Sequence, residues 1–472
     1  MTNLKTVFNK LILRISLLIP AILSGIFLLM PLRISQAQIH QQNCSGDRLE
    51  VDVSGKTINW DQFPDFSLPL PVVYHGAVPA DKQPHPLRKG FSHIQGSVKS
   101  YTEKIPFSNR VYLWTGIAAA DNWAKRTKQP WVLIKSPWGN DIEGYRQRWW
   151  NRLVHIKTNW DSQRDIRERD FDMIIADIEM ARHSDKDILA IKDHSLVPKE
   201  YQRLSDREFI AAYQQSMREL YNEPLKLIRD SLSSDIKISS YGDTPIRRDW
   251  WGIGSEKYSQ GFKQSSLTDF LVKDSQKQLN SGFYNNLDFL SPTAYFFYDA
   301  AKHPDGKNYL SYILFQIEAN KAQDDKPQML FVWTNYHNSA SPKMDPVSPE
   351  MAEASAIFPL ISGVGIYNWR MNNNQKGNYE FFIRGLYRMS KFNGFFKGDP
   401  IYVVPESASS SFRSKNAVWR GLVNDGKILI AAHNPHAKAN ETTQVKVAFE
   451  GWSEVIELRG NEIFLCSFDL KK

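Results

Sequence analysis

Eight short runs of β-branched and aromatic residues, separated by longer amphipathic stretches between Leu70 and Trp369, constrain this 472-residue chain more than any other feature. They are Pro71–His75, Arg110–Gly116, Trp131–Ser136, Asp172–Glu179, Ile236–Gly242, Leu287–Tyr295, Met329–Asn335 and Val364–Trp369. Parallel sheets need such alternation, because each strand is buried on both faces and the connecting helix covers it. Eight parallel strands close a TIM barrel, so the fold expected is α/β, a (β/α)8 barrel. An open doubly wound sheet is the alternative. Between the runs, Asp206–Ser231 places Phe209, Ala212, Met217, Leu220 and Leu225 at helical spacings, and Pro224 is expected to kink or split that helix. Tyr309–Ala322 has a similar pattern, and Pro349–Leu360 follows Ser348, an N-cap with Pro at the first helical position. Gly76–Asn109 shows little periodicity.

After Phe396 the pattern changes to short alternating strands: Ile401–Val404, Ala417–Val423, Lys427–His433, Gln444–Phe449, Ser453–Leu458 and Glu462–Phe468. They imply a small C-terminal all-β sandwich, with Ser407–Ser414 as a loop between strands. At the other end, Lys5, Lys10 and Arg14 precede an apolar run, Leu17–Leu32, and Ser35-Gln36-Ala37 offers a small-x-small cleavage site. This pattern predicts a signal peptide at 1–37, a barrel catalytic domain at 38–395 and the sandwich at 396–472. The mature protein would be secreted or periplasmic, without stable membrane insertion once cleaved near Ala37. An uncleaved anchor is the alternative, which Pro20, Gly25 and Pro31 disfavour.

The formal charge of +8 includes four basic leader residues (Lys5, Lys10, Arg14, Arg33) and no acidic ones; eight less four leaves about +4, too little to point to nucleic acid. Cys44 and Cys466 either pair in an oxidising compartment or stay as buried thiols. The sequence has no Cys/His cluster with zinc spacing, no G-x-S-x-G elbow, no phosphate-cradling glycine loop and no H-E-x-x-H, so neither metal nor cofactor is expected.

Chemistry concentrates in Asp172-Met173-Ile174-Ile175-Ala176-Asp177-Ile178-Glu179. Side chains alternate across a strand, so Ile175, Asp177 and Glu179 share one face and Ile174, Ala176 and Ile178 the other. The apolar face belongs against helices, which puts both carboxylates inside the barrel at the C-terminal end of the strand, where barrel enzymes keep catalytic groups. Close carboxylates resist ionising together, and one that keeps its proton at neutral pH can protonate a glycosidic oxygen. The alternative is a helix cap or an ion pair with Arg182. Ordinary retaining glycosidases put a second carboxylate at a later strand end, yet the seventh run ends Phe331-Val332-Trp333-Thr334-Asn335-Tyr336-His337 without one. One acid, Glu179, plus one helper, Asp177, is the economical reading. Tyr241, Tyr295, Trp333, Asn335, Tyr336 and Trp369, at or near other strand ends, are candidates for the sugar subsite, since indole and phenol rings stack on apolar sugar faces. His183 and His337 also lie near strand ends; Trp149-Trp150 and Trp250-Trp251 are read as cleft walls or as loop anchors.

The same segment resembles the D-x-x-D-x-D-x-E signature of the family 18 glycoside hydrolases, with Asp172, Asp177 and Glu179 matching and Ile175 in place of the second Asp. It is also similar to the Asp-x-Glu of hyaluronidases. That likeness extends through Tyr213–Ser240, Leu290-Ser291-Pro292-Thr293-Ala294-Tyr295, Met329–Tyr336 and Glu350–Trp369, about half the chain. The resemblance implies that the substrate's own 2-acetamido oxygen is the nucleophile. Glu179 would protonate the leaving oxygen and then activate water, and Asp177 would orient the acetamido group and stabilise the oxazolinium-like intermediate. A retaining hydrolase of N-acetylhexosamine glycans follows as the expectation. The alternatives are a non-catalytic carbohydrate-binding barrel and a barrel glycosidase of another substrate class.

Overall fold

Strands buried on both faces form a curled parallel sheet. The computed structural model describes residues 43–44, 49–53, 58–76, 85–95, 107–115, 127–160, 171–178, 183–246, 282–338, 340, 344–369 and 378–470. In chain order, β1 (Asn43–Cys44) belongs to a separate sheet. The parallel strands are β2 (Val72–Tyr74), β3 (His93–Gln95), β4 (Arg110–Thr115), β5 (Met173–Asp177), β6 (Lys237–Ser240), β7 (Met329–Val332) and β8 (Gly365–Asn368). Their spatial order is β6-β5-β4-β3-β2-β8-β7. The two end strands, β6 and β7, are both bridged by one further segment. Tyr241 bridges to Ser291, Leu290 to Gln328 and Thr293 to Phe331, all in parallel. This is the expected strand Leu287–Tyr295, present as isolated bridges. Pro292 has no N–H to donate, which interrupts a regular ladder there.

One expected strand is a helix. Trp131–Ser136 was read as a strand, but Pro130–Leu133 is helical, with Pro130 in its first turn and Gln129 as an extended cap. Proline's fixed φ favours a helix start, and Trp131 is buried between the rings of Tyr145 and Tyr221, each at 6.5 Å. The strand that stands between β2 and β4 is instead β3, His93–Gln95, inside the aperiodic stretch Gly76–Asn109. Three residues are too few to show an alternation.

The helices follow their apolar faces. The long ones among the described residues are α1 (Ile142–Trp160), α2 (Asp206–Ser231), α3 (Tyr309–Lys321), α4 (Pro349–Ile361) and α5 (Tyr379–Ser390). A capping box of Ser205 and Glu208 starts α2, which buries Phe209, Met217, Leu220 and Leu225. Contrary to a split at Pro224, α2 runs on to Ser231. Pro224 is buried beside Leu225 and Ile228, so packing offsets the roughly 3 kcal/mol an internal proline costs. Ser348 is the N-cap of α4, with Pro349 at its first position.

Beyond α5 come β9 (Ile401–Val403), a helix α6 (Ala408–Ser414), β10 (Val418–Asn424), β11 (Lys427–His433), β12 (Thr442–Phe449), β13 (Trp452–Arg459) and β14 (Ile463–Asp469). An antiparallel sheet of order β1-β14-β11-β10-β9 faces the β12-β13 pair. Trp419, Ile428, Ile430 and Phe468 of the first meet Val445, Val447, Trp452 and Leu458 of the second. The opposite face, with Leu422, Leu429 and Leu465, shares a core with α3, α4 and α5. One ion pair and one hydrogen bond cross that seam: Arg420 of β10 holds Glu318 of α3, and Arg388 of α5, itself paired with Glu353 of α4, donates to the Ile463 carbonyl of β14. Ser407–Ser414 is not the expected loop. Ser407 caps α6 by accepting from Ser410 N–H, and Phe412 and Ser411 pack on Phe315 and Ser311 of α3. Tertiary packing thus overrides serine's weak helix propensity. Cys44 and Cys466 sit opposite each other in β1 and β14 and are joined by a disulfide.

Candidate functional site

The site is built from the alternation in β5. Ile174, Ala176 and Ile178 are buried among Phe209, Tyr213 and Met217 of α2 and Tyr145 and Trp149 of α1. Ile175 belongs to a different cluster, inside the curl, with Val73, Val111, Leu113, Phe331 and Tyr367. Asp177, two residues on, follows Ile175 on the inner face and is half-buried at the C-terminal end of the strand. Glu179 lies outside the described residues, as do Arg182, Trp250 and Trp251.

Around Asp177 the strand ends supply aromatic rings. Trp369, just past β8, stacks on Tyr241, just past β6, at 6.1 Å and 27°. Tyr241 lies 6.4 Å from Tyr295, and Tyr295 lies 5.8 Å from Trp333. Four of the six expected sugar contacts, Tyr241, Tyr295, Trp333 and Trp369, therefore form one connected wall. Asn335 and Tyr336 are placed elsewhere. Asn335 is buried and donates from Nδ2 to the Met344 carbonyl at 3.0 Å, tying down the turn before α4. Tyr336 turns to the outer core, where its hydroxyl accepts from Ala300 N–H at 3.1 Å. Residues at i and i+3 on an irregular segment cannot both keep Trp333's direction.

Tyr367 and His75, neither of them a candidate from the sequence, join the wall, and so does His337. Tyr367 precedes Trp369 by two on the inner face of β8, and its ring stacks on Phe331 at 4.1 Å. Burial pushes its phenol well above the ordinary value, and the charge of Asp177 pushes it further. Its hydroxyl is 3.0 Å from His75 Nδ1, and His75 in turn lies 4.8 Å from the Trp369 ring. The register explains the meeting, because Val73 pairs with Tyr367 and His75 comes two residues later. His75 ends the first run, so its position in the sequence was a signal. His337 stacks on Tyr295 at 6.0 Å and packs on Phe297 at 4.4 Å. His183, the other histidine near a strand end, rests against Tyr213 of α2; burial and then Lys135 lower its pKa.

At the opposite end of β5 from Asp177, Asp172 accepts from or pairs with His93 Nε2 at 3.0 Å, and His93 Nδ1 is 2.7 Å from Ser92 Oγ. The first acid of the motif is thus engaged at the foot of the sheet by a histidine of β3, two strands away. Trp149 is fully buried against Tyr145, as a packing anchor. Among the described residues no three or more His, Cys, Asp or Glu converge as a metal site requires. No helix among them is long and apolar enough to cross a membrane.

No family model matches the chain. No curated protein matches it either. Solved structures similar to it include bee venom hyaluronidase, at 11% identity and a TM-score of 0.38 over 69% of this chain and 97% of that one. A noncanonic maltogenic alpha-amylase from Thermotoga neapolitana gives 12% and 0.38 over 85% and 99%. A GH30 endoxylanase from Clostridium papyrosolvens gives 12% and 0.29 over 86% and 99%. At such identities and scores the likeness decides nothing about chemistry, which is left to this chain's own residues.

Proposed function

We propose that the chain is an exported glycoside hydrolase of N-acetylhexosamine glycans, with a (β/α)8 barrel at 38–395 and a bracing β-sandwich at 396–472. The observation that carries this reading is a half-buried carboxylate, Asp177, at the C-terminal end of an inward-facing strand beside the connected rings of Tyr241, Tyr295, Trp333 and Trp369. Eight staves are reached by counting the Leu290–Thr293 bridges between β6 and β7. The Cys44–Cys466 disulfide suits an oxidising compartment outside the cytoplasm.

In this reading a sugar ring lies against the Trp369 and Tyr241 faces, which favour its apolar C–H surface. Glu179 gives its proton to the glycosidic oxygen as the C1–O bond breaks, and the 2-acetamido oxygen closes on C1 from the other side. Asp177 holds the acetamido N–H and carries the balancing negative charge. Water then attacks C1 as the C1–O bond to the acetamido group breaks, Glu179 takes a proton from that water, and two displacements return the original anomer. Tyr367, its hydroxyl beside His75, lies within electrostatic reach of the Asp177 charge.

The test is Glu179→Gln, assayed on chitin, hyaluronan, peptidoglycan and N-glycan substrates with anomer analysis of the products. Turnover with retention should vanish in the variant, while a thiazoline mimic of the oxazoline still binds. Unchanged turnover refutes the assignment; tight glycan binding without turnover by the unsubstituted chain makes it a binding barrel instead.

A further inference from the structure

Trp333 faces the strand-end hollow, but three residues later Tyr336 lines a different cavity, of about 540 Å3. The remaining walls come from the Asp299–Lys302 turn, from Asp345 and Glu350 around the start of α4, and from Asn461 in the turn between β13 and β14. Three residues of backbone span at most about 10 Å, so the backbone positions of Trp333 and Tyr336 lie no farther apart than that.

The lining selects a class of occupant. Asp299, Asp345 and Glu350 are acceptors; the donors are Lys302, paired with Asp299 at 3.4 Å, Lys307, which reaches the His436 carbonyl at 3.4 Å, the Asn378 amide, which donates to the Val347 carbonyl, and the Asn461 amide. Three carboxylates against two ammoniums nearly balance, so neither a simple anion nor a simple cation is favoured over the other. A polyhydroxyl ligand meets both kinds of partner, because each hydroxyl donates and accepts. Pro346, Pro435 and the edge of Tyr336 supply apolar surface for its C–H faces. The size falls within the roughly 300–1,000 Å3 of small-molecule sites. One lining group is also left over. Ser348 stands at the N-cap of α4 without making a cap hydrogen bond, and its buried Oγ has no partner among the described residues.

We propose that this cavity is a second glycan-binding subsite, which takes a neutral sugar unit of the same chain whose scissile bond lies in the strand-end hollow. It deepens the hydrolase reading above and rests on it. The cavity joins the two parts of the molecule, since Asn461 and Pro435 belong to the C-terminal sheets, and it gives that region a role in holding long substrates. Short substrates would not need it.

The test uses the full chain carrying Glu179→Gln, so that substrate persists, and follows binding of a chitin hexasaccharide by calorimetry beside the thiazoline mimic. Ala301→Trp fills the cavity from an exposed lining position. Asp345→Lys alters its charge while sparing the turn, which uses the Asp345 backbone oxygen. Each change should weaken hexasaccharide binding by about tenfold, the equivalent of one or two net hydrogen bonds, and leave thiazoline binding unchanged. Thiazoline binding with hexasaccharide affinity unmoved by both variants overturns the subsite and leaves the hydrolase reading standing. Failure of both probes to bind the parent chain sinks the hydrolase reading, and the subsite with it.

Discussion

Glu353→Leu should be among the most damaging single changes outside the site. Glu353 is only 4% exposed, and it receives Arg388 at 2.7 Å and Arg384 at 2.5 Å. The two arginines differ in what they lose. The Arg384 side chain, at 20% exposed, can swing toward water, whereas that of Arg388, at 9%, is pinned by its second bond to the Ile463 carbonyl. Removing the carboxylate therefore leaves one buried guanidinium without its counter-charge, which costs about 3–5 kcal/mol. Adding Arg388→Met removes that stranded charge, and an apolar replacement of a buried pair is expected to fall within about 1–2 kcal/mol of the parent. Urea unfolding of the parent, the single and the double variant measures both quantities. A single variant that loses less than about 1 kcal/mol, or a double variant no better than the single, refutes the claim that this pair bolts α4 and α5 to β14.

Tyr367→Phe deletes the hydroxyl beside His75 and should cut kcat/KM by about 5- to 150-fold with the fold intact by circular dichroism, the range for losing one buried polar contact of about 1–3 kcal/mol. Full activity would detach Tyr367 from the chemistry. Two buried groups should give opposite pH slopes. Burial lowers His433 from 6.5 to about 4, so the unfolded chain binds the extra proton, and this group's stability is lost as pH falls through that window. Burial raises Glu380 from 4.5 to about 7, so the folded chain holds the extra proton, and stability falls as pH rises toward 7. Between pH 4.5 and 6.5, Glu380→Gln should make stability climb more steeply with pH and His433→Gln less steeply; identical slopes in both would show that neither group is linked to folding.

What the sequence disclosed depended on how local the cause was. The alternation from Ile174 to Ile178 is a property of five consecutive residues, and it located both faces of β5 correctly. The strand His93–Gln95 is buried yet three residues long, so no period could reveal it. Trp131–Ser136 has strand composition, and only Pro130 hinted at the helix. The helix at Ala408–Ser414 depends on Phe315 and Ser311, nearly a hundred positions away, and nothing in its own serines announces it. In the site, Trp369 and Tyr241 were legible as strand ends. The meeting of His75 with Tyr367 spans 292 positions and comes only from strand register. Tyr336 shared a run with Trp333, yet an irregular path after β7 sent the two rings apart.

The covalent bond between Cys44 and Cys466 also orders events in time. The Cys44 thiol has to wait through 422 further residues for its mate, so the edge pairing of β1 on β14 forms only after Cys466 has been made. Until then β14 offers an open flank, and the returning N-terminal segment is what closes it to other chains. Ring closure thus marks the moment when two segments 422 residues apart have met at one sheet edge.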